Sequence, residues 1–116
     1  MNHVNLRNVV PFEFGGLMIR DPALASLTSA SVALIDVPPG VSHPKAKSVE
    51  SDKLYVCVSG ALAFTVGGTR IALETSDLLV IPRGEWFGYE NRGESTATVL
   101  LVHVPPFNLE SEVFDT

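Results

Sequence analysis

The apolar residues of this chain occur in short runs divided by turn-forming residues. They never recur at helical spacing over the roughly eleven positions that an amphipathic helix of several turns requires. The β-rich runs predict seven strands, at residues 17–19, 31–37, 54–58, 62–66, 70–73, 78–81 and 97–104. Short strands at this spacing are typical of a β-sandwich or a β-barrel, so the pattern predicts an all-β fold.

Turn signals lie between these predicted strands, at Pro38-Pro39-Gly40, Ser59-Gly60, Gly67-Gly68 and Pro82-Arg83-Gly84. A Gly-Gly pair between two apolar runs predicts a tight hairpin, and the other signals predict turns that end a strand. No linker, repeat or low-complexity tract interrupts the chain. We therefore predict a single domain over residues 1–116, with core motifs at 40–91. We expect a C-terminal tail, residues 105–116, to lie over the surface or fray from it.

Composition narrows the functions that this fold can serve. The chain has 116 residues, 46% of them hydrophobic, which allows one compact core without disulfide bonds, and its single cysteine, Cys57, cannot form one internally. A net charge of −5 without a basic stripe argues against nucleic acid and anionic membranes as partners. The sequence predicts neither a targeting segment nor a membrane span. We expect a cytoplasmic protein.

Two spaced motifs lie within residues 40–91, and a strand with a Pro-Pro-Phe exit follows at 99–107. The residues that match the motifs are Gly40, Gly60, Pro82, Gly84 and Asn91. In this spacing the chain resembles the cupin family. The resemblance implies a cupin-type double-stranded β-helix, which is a jelly-roll barrel of roughly six to eight strands.

The chain departs from the family at the positions where metal-dependent cupins carry two histidines, a glutamate and a third histidine. These positions are Ala46, Ser48, Lys53 and Phe87 by gap-free counting, with Lys47 and Val49 replacing the first two after a one-residue shift. Such a site needs three or four converging N or O donors, and an ammonium group at position 53 would repel a divalent cation. We predict no metal and no other cofactor. A displaced metal site that uses His43 and His103 is the alternative.

Alternation along the strands predicts what lines the barrel instead. If Lys53 points inward, Tyr55 and Cys57 point inward beside it, and the same parity on the partner strand adds Phe87 and Tyr89. An apolar floor is expected from Leu62, Phe64 and Val66. A few polar groups in an apolar concavity are typical of a small-molecule site.

Lys53 admits more than one interpretation. Burial would lower its pKa and make it a base or an amine nucleophile, with Tyr55 as the proton donor for chemistry next to a carbonyl group. Alternatively, Lys53 pairs with an acid such as Glu50, Asp52 or Glu90, or extends to the rim. A third possibility is a fixed cation that binds a substrate carboxylate or phosphate without moving protons.

Further candidates lie nearer the barrel mouth. His43 is either a general base or a solvent-facing loop residue. Arg20 could clamp an anionic substrate or form a surface salt bridge. Lys47 would bind substrate if the register turned it inward, and otherwise, like Lys45, it is a solvated charge. His103 either contacts the ligand or is a core histidine satisfied by one hydrogen bond.

Two short pieces, Val58-Ser59-Gly60 and Phe107-Asn108, resemble those of a metal-independent cupin dehydratase of uridyl peptide antibiotic biosynthesis. That enzyme acts on a nucleoside aldehyde and uses a histidine just after the corresponding glycine. Our first hypothesis is a metal-independent enzyme that performs acid-base chemistry, namely dehydration, isomerisation or cyclisation, on a small carbonyl-containing metabolite. The alternative is a non-catalytic cupin that binds or senses a sugar or a carboxylate.

The outward positions of the strand around Lys53 predict a covered surface. Leu54, Val56 and Val58 are all apolar, and a strand that is apolar on both faces is covered on both. Small cupins commonly pair through this sheet, so the resemblance implies a homodimer. A terminal segment folded over the sheet is the alternative.

Overall fold

The computed structural model describes residues 1–115, whose backbone forms short strands joined by turns. Two single turns of 3-10 helix, Leu6–Asn8 and Leu109–Ser111, lie near the chain ends. In chain order the strands are β1 (Phe12–Phe14), β2 (Leu17–Arg20), β3 (Ser31–Val37), β4 (Ser42–Ser48), β5 (Asp52–Ser59), β6 (Ala61–Val66), β7 (Thr69–Glu74), β8 (Leu78–Ile81), β9 (Phe87–Glu90), β10 (Ala97–Val104) and β11 (Glu112–Phe114). Residues 1–115 include no helix with the length and hydropathy needed to cross a bilayer.

The strands form two antiparallel sheets. The first sheet has the order β1-β2-β3-β10-β5-β8, and the second has the order β11-β4-β9-β6-β7. Both sheets contribute to one apolar core, whose largest fully buried side chains include Tyr55, Phe64, Phe87, Leu17 and Leu73. Two antiparallel sheets around one core form the jelly roll that the sequence predicts, and the all-β fold class is confirmed.

All seven predicted strands are present, whereas the sequence pattern does not predict β1, β4, β9 and β11. The β4 segment contains Pro44 and two lysines instead of a regular apolar alternation, and the other three strands have only three or four residues. The predicted tail does more than lie over the surface, because β11 pairs with residues 46–48 of β4 and extends the second sheet. Thr116, the last residue of that tail, lies outside the described residues.

Glycine is required at two of the predicted turns. Gly67 and Gly68 have φ angles of +53° and +87°, as a tight hairpin between β6 and β7 demands. Gly60 has a φ of +75°, and a Cβ atom there would lie 2.9 Å from the Cα of Ala97. These residues therefore allow the chain to reverse direction where a side chain would be strained or would collide with the backbone.

Ser76 stands where the cupin pattern has a glycine, and its backbone has a φ of +74°. A left-handed conformation costs a residue with a Cβ atom about 1–2 kcal/mol. Replacing Ser76 with glycine should raise the free energy of unfolding by roughly 0.5–1 kcal/mol, because the more flexible unfolded chain offsets part of the relief. Urea unfolding measures the change. Ser76→Ala keeps the Cβ atom and should not stabilise, so equal gains from both variants would contradict this account.

Candidate active site inside the barrel

A β-bulge in β4 decides which of its side chains enter the barrel. His43 pairs with Tyr89 and Ala46 pairs with Phe87, so three steps along β4 match two steps along β9. The extra residue reverses the alternation, and both His43 and Ala46 consequently point inward. The imidazole of His43 stacks on the rings of Phe87 and Tyr89, with both centroid distances at 5.1 Å.

The family's metal-binding positions face the interior but do not supply a metal site. Ala46, Ser48, Lys53 and Phe87 are each no more than 3% exposed, which is the arrangement of the gap-free register. Two of these side chains carry no N or O atom, and a third is a cation. Residues 1–115 contain no group of three His, Cys, Asp or Glu side chains that could hold a metal ion. The residues at this position therefore do not fit the metal of the metal-dependent cupins.

An ion pair fills this position instead. Lys53 Nζ lies 2.5 Å from Glu112 Oε1 and 2.9 Å from His103 Nε2, and it stands 5.3 Å from the centre of the Phe87 ring. The side chains of Lys53 and Glu112 are only 4% and 8% exposed. Burial lowers the pKa of Lys53, whereas the Glu112 carboxylate opposes this by raising it. The direct carboxylate contact favours the ammonium form, so Lys53 is a buried cation here.

The acid that pairs with Lys53 is not one of the three expected from the sequence. Glu90 pairs with Arg92 at 2.6 Å, and Asp52 accepts a hydrogen bond from the backbone N–H of Arg83 at 2.9 Å. Glu112 reaches Lys53 because β11 returns to the barrel and pairs with β4. The pairing depends on a contact between residues 59 positions apart, which local patterning does not reveal.

His43 has the geometry of a neutral imidazole with one free lone pair. Its Nδ1 lies 2.7 Å from the carbonyl oxygen of Pro44. Since a carbonyl group only accepts, Nδ1 carries the proton and Nε2 carries the lone pair. Burial lowers the pKa of His43 to about 4, the Pro44 hydrogen bond opposes this, and the Lys53 cation adds to the lowering. At neutral pH His43 can therefore accept a proton at Nε2.

Two tyrosine hydroxyls supply the interior with hydrogen-bond donors. Tyr55 and Tyr89 are 1% and 3% exposed, and their rings pack against each other and against Phe64 at centroid distances of 4.7–5.7 Å. Burial raises the pKa of both tyrosines above the usual value, so both hydroxyls stay protonated. Within residues 1–115 the Tyr89 hydroxyl meets no hydrogen-bond partner. The protonated Tyr89 hydroxyl can therefore donate to a ligand oxygen.

His103 lies in the interior, where it forms a hydrogen bond with Lys53. Burial and the nearby Lys53 cation lower the pKa of His103 to about 3. The imidazole is therefore neutral at pH 7 and accepts the Lys53 hydrogen bond at Nε2. On the far side it packs against the Phe107 ring at 5.2 Å. This is the buried histidine satisfied by a hydrogen bond that the sequence left as one of two possibilities.

Two phenylalanines from opposite ends of the chain cover His43 at the barrel mouth. The Phe14 ring of β1 lies 5.9 Å from the His43 ring, and the Phe114 ring of β11 lies 6.4 Å from it. Their own centroids are 5.8 Å apart. Both rings are about one-third exposed, and both belong to three-residue edge strands. Access to His43 therefore passes through short edge elements rather than through the central strands.

For Lys47 and Arg20 the sequence leaves two alternatives each, and the structure shows both residues in contacts other than with the barrel interior. Lys47 alternates with the inward residues of β4, and its ammonium lies 4.7 Å from the centre of the Trp86 ring on the outer face. Arg20 pairs with Asp36 at 2.8 Å. Strand alternation turns the Lys47 side chain away from the interior. The salt bridge with Asp36 occupies the Arg20 guanidinium.

An open groove of about 520 Å³ lies on the outer face of the second sheet. Its β6 lining consists of Ala63 and Thr65, which alternate with the inward residues of that strand, and the side-chain-free Gly88 lies between them and Lys45. His43, Phe87 and Tyr89 also border this groove, whereas Lys53 does not. We assign the acid-base chemistry to the interior and not to this groove.

Sequence reasoning misses three residues of the interior site, namely Glu112, Phe14 and Phe114. Glu112 lies in a segment whose acidic composition predicts a surface tail. The one available signal is parity, because Glu112 and Phe114 are two residues apart and share one face of any strand formed there. No such signal connects either residue to β4.

The chain matches known proteins in both sequence and structure. The family model described as a cupin domain matches residues 33–103. The chain is 33% identical over 94 residues to an endoribonuclease YbeY of Myxococcus xanthus, a match that covers 81% of this chain and 32% of that protein. It is 32% identical over 79 residues to the tetracenomycin polyketide synthase protein TcmJ of Streptomyces glaucescens, covering 68% and 53%. The matched region thus spans about a third of the length of the first relative and about half of the length of the second.

Solved structures share the fold at low sequence identity. The nucleoside dehydratase Pac13 superposes with a TM-score of 0.85 at 20% identity, covering 99% of this chain and 91% of that one. A histidine-to-glutamine variant of Streptomyces Pac13 with uridine gives the same TM-score, with 100% and 92% coverage. A sugar phosphate isomerase of the cupin superfamily from Silicibacter pomeroyi gives 0.76 at 19% identity, covering 89% and 75%. At these identities the likeness concerns the fold alone.

Proposed function

The chain belongs to the cupin family, and from its interior geometry we propose that it is a metal-independent cupin enzyme of acid-base chemistry. The reaction class is dehydration, isomerisation or cyclisation of a small carbonyl-containing metabolite. One observation carries the proposal: the neutral imidazole of His43 is anchored through Nδ1, keeps its Nε2 lone pair free, and lies close enough to the buried Lys53 ammonium for that charge to lower its pKa. A base next to a fixed cation suits proton removal from a carbon adjacent to a carbonyl.

Each interior residue takes a role in this proposal. His43 Nε2 removes a proton from the carbon next to the substrate carbonyl, and the C–H electron pair moves onto the carbonyl oxygen. Lys53 stabilises the resulting enolate as a fixed cation, since its pairing with Glu112 leaves it protonated and unsuited to act as the base. Tyr55 contributes a protonated hydroxyl as hydrogen-bond donor. The buried side chains of Phe64, Phe87 and Tyr89 are assigned to contact the substrate, and His103 to position Lys53.

Dehydration needs no reagent other than the substrate and these side chains. When the enolate collapses, a carbon–carbon double bond forms and the bond to a β-hydroxyl group breaks. The departing oxygen takes the proton that His43 removed, so water leaves and His43 returns to its neutral form. Return of that proton to a different carbon gives isomerisation instead.

The Pac13 structures support a role for the same residue types. Variants of that protein in which a histidine or one of two tyrosines is replaced are described with uridine. This chain likewise places one histidine and two tyrosines, His43, Tyr55 and Tyr89, at the interior of its barrel. Nucleosides with an oxidised sugar therefore belong in the first group of compounds to be tried.

Proton exchange tests the proposal before the natural substrate is known. The protein is incubated in deuterated buffer with a panel of β-hydroxy aldehydes and ketones, including nucleoside aldehydes, and NMR follows exchange at the α-carbon together with loss of water. We expect exchange with at least one member of the panel. Stabilisation by a compound that is recovered unchanged and unexchanged would contradict catalysis and favour the alternative, a binding or sensor cupin.

We also propose a homodimer formed through the outer face of the first sheet. Apolar residues face each other across its strands, with Leu54 opposite Val80 and Val56 opposite Leu78. On the edge strand, Leu78 and Val80 are 58% and 52% exposed. In a chain with a net charge of −5, this apolar patch on β5 and β8 is where two copies meet with the least repulsion.

Charging this face should separate the two copies. Replacing Leu78 and Val80 with aspartate places like charges opposite each other at the proposed interface, and we expect the molar mass in solution to fall to that of one chain. Size-exclusion chromatography with light scattering measures it. Thr65→Asp on the outer face of the second sheet is the matched control and should not change the mass. A wild-type protein with the mass of one chain would overturn the proposal directly.

A further inference from the structure

Strand β11 sends two alternate side chains toward the barrel. Glu112 reaches Lys53 at the position where metal-dependent cupins hold their metal, whereas Phe114 packs over His43 at the mouth. Val113, between them, points away and is 38% exposed. Because the two inward residues share one face of one short strand, a movement that lifts Phe114 from the mouth also withdraws Glu112 from Lys53.

The Glu112 carboxylate and the Lys53 ammonium that holds it lie on different kinds of strand, and His103 in turn contacts Lys53. Lys53 and His103 stand opposite each other on β5 and β10, which are central strands of the first sheet. Glu112 stands on the last strand, which pairs on one side only, at the edge of the second sheet. The cation is therefore part of the rigid framework, and the anion is delivered by a peripheral element.

Apart from the ion pair of Glu112 with Lys53, which an incoming carboxylate would replace, few bonds hold β11 in place. Beyond its pairing with residues 46–48, the backbone is tied by Ser111 O, which accepts from Val49 N at 3.0 Å, and by Asp115 N, which donates to Lys45 O at 3.0 Å. The Lys45–Asp115 salt bridge is more than half exposed and adds little. Terminal edge segments with such limited contacts open at far lower cost than central strands do. Opening of β11 is thus compatible with an intact barrel.

From this arrangement we propose that Lys53, positioned by its hydrogen bond to His103, forms a carboxylate subsite, which Glu112 fills while the barrel is empty and which a substrate carboxylate takes over when β11 opens. The inference rests on the proposed function and narrows its substrate class to carbonyl compounds that also carry a carboxylate group. Glu112 then acts as a tethered competitor rather than as a permanent counter-ion.

The buried charge of Lys53 favours replacement of Glu112 by another carboxylate over replacement by a neutral group. Lys53 is 3% exposed, so removal of Glu112 without replacement would leave an unpaired buried charge. An incoming carboxylate keeps that charge paired, whereas a neutral group of the same size does not. The second carboxylate oxygen, Glu112 Oε2, is buried and has no hydrogen-bond partner within residues 1–115. Only one of the two Glu112 carboxylate oxygens therefore has a hydrogen-bond partner. A ligand carboxylate with hydrogen bonds to both of its oxygens would bind more favourably than Glu112 does.

Acetate is the probe that tests this subsite, since it contains the atoms that Glu112→Ala removes beyond Cβ. Thermal unfolding is followed while sodium acetate is titrated at constant ionic strength into wild type, Glu112→Ala and Glu112→Ala/Lys53→Met. We expect saturable stabilisation of Glu112→Ala, half-complete at an acetate concentration at least tenfold lower than in wild type. The Lys53→Met double variant and chloride should give none. Asp115→Ala, which removes a carboxylate from the same tail, should behave like wild type.

Equal responses of Glu112→Ala and wild type would overturn the proposal, because a competitor that has been removed must leave the subsite easier to fill. Should Glu112→Ala not fold, Glu112→Gln keeps the side-chain shape without the charge, and acetate binding to it by calorimetry must again be at least tenfold tighter than to wild type. A failed subsite is distinguishable from a failed enzyme. The exchange of α-protons is measured with β-hydroxy aldehydes and ketones that need no carboxylate group, and it does not depend on acetate binding.

Discussion

Replacing His43 with glutamine should lower kcat/KM by a factor of about 10²–10⁴, the usual contribution of a positioned general base. Glutamine keeps a hydrogen-bonding side chain of similar reach but cannot take up the proton. Substrate should still bind, because Tyr55, Tyr89 and Lys53 remain in place. The loss is therefore expected in kcat, measured by steady-state assay, with KM changed far less.

The pH dependence gives this prediction a second readout. Burial and the Lys53 cation lower the pKa of His43 to about 4, and a general base acts only when it is unprotonated. The wild-type kcat/KM should therefore rise with pH through about 4 and stay level above it, until another group titrates. The residual rate of His43→Gln should lack this step.

His3 provides a matched control for His43. It is exposed near the N-terminus, so His3→Gln should keep both the wild-type rate and the wild-type pH profile. A His43→Gln variant that retained full turnover of a substrate found in the screen would remove His43 from the mechanism, whatever the fate of the other residues.

Breaking the Lys53–Glu112 pair should be the most destabilising change in the barrel. Glu112→Ala leaves the Lys53 ammonium buried without a carboxylate partner. Lys53→Met leaves the Glu112 carboxylate buried without a cation. Removing one partner of a buried pair costs about 3–5 kcal/mol, mostly because the remaining charge is uncompensated. Against a total stability of about 5–15 kcal/mol for an ordinary domain, either variant should lose a large part of its resistance to urea.

The double replacement separates the two causes of that loss. Lys53→Met with Glu112→Leu removes both charges and fills similar volume with apolar atoms, and we expect it to unfold within about 1–2 kcal/mol of wild type. The exposed Lys45–Asp115 pair is the control, and its disruption by Asp115→Ala should cost less than about 1 kcal/mol. A double variant as unstable as either single one would show that packing, and not charge, dominates at this position.

The parts of the structure that follow local rules could be predicted from the sequence. Strand alternation places Tyr55 and Cys57 beside Lys53, and all three are buried as predicted. The glycine turns are predicted with equal success, because Gly67-Gly68 allows few other backbone conformations. The two-residue alternation of side chains along a strand and the backbone preferences of turn residues both act over a few positions. A single sequence is therefore enough to predict them.

The parts that depend on long-range pairing could not be predicted. Which acid meets Lys53 is decided by β11 adding itself to the edge of the second sheet, and nothing in its three residues specifies β4 as the partner. The position of His43 is a similar case, because a bulge at Pro44 and Lys45 and not regular alternation turns it inward. Tertiary pairing overrides local pattern at both points.

The bulge in β4 also makes the internal histidine tolerant of a change in chain length. His43 lies three positions before Ala46, yet both side chains point inward because β9 crosses the same stretch in two positions. Loss of one residue at Pro44 or Lys45 would leave two positions against two, and a regular ladder would still turn His43 inward beside Ala46. Relatives with and without the extra residue could thus both keep an internal base here, at positions one residue apart in sequence.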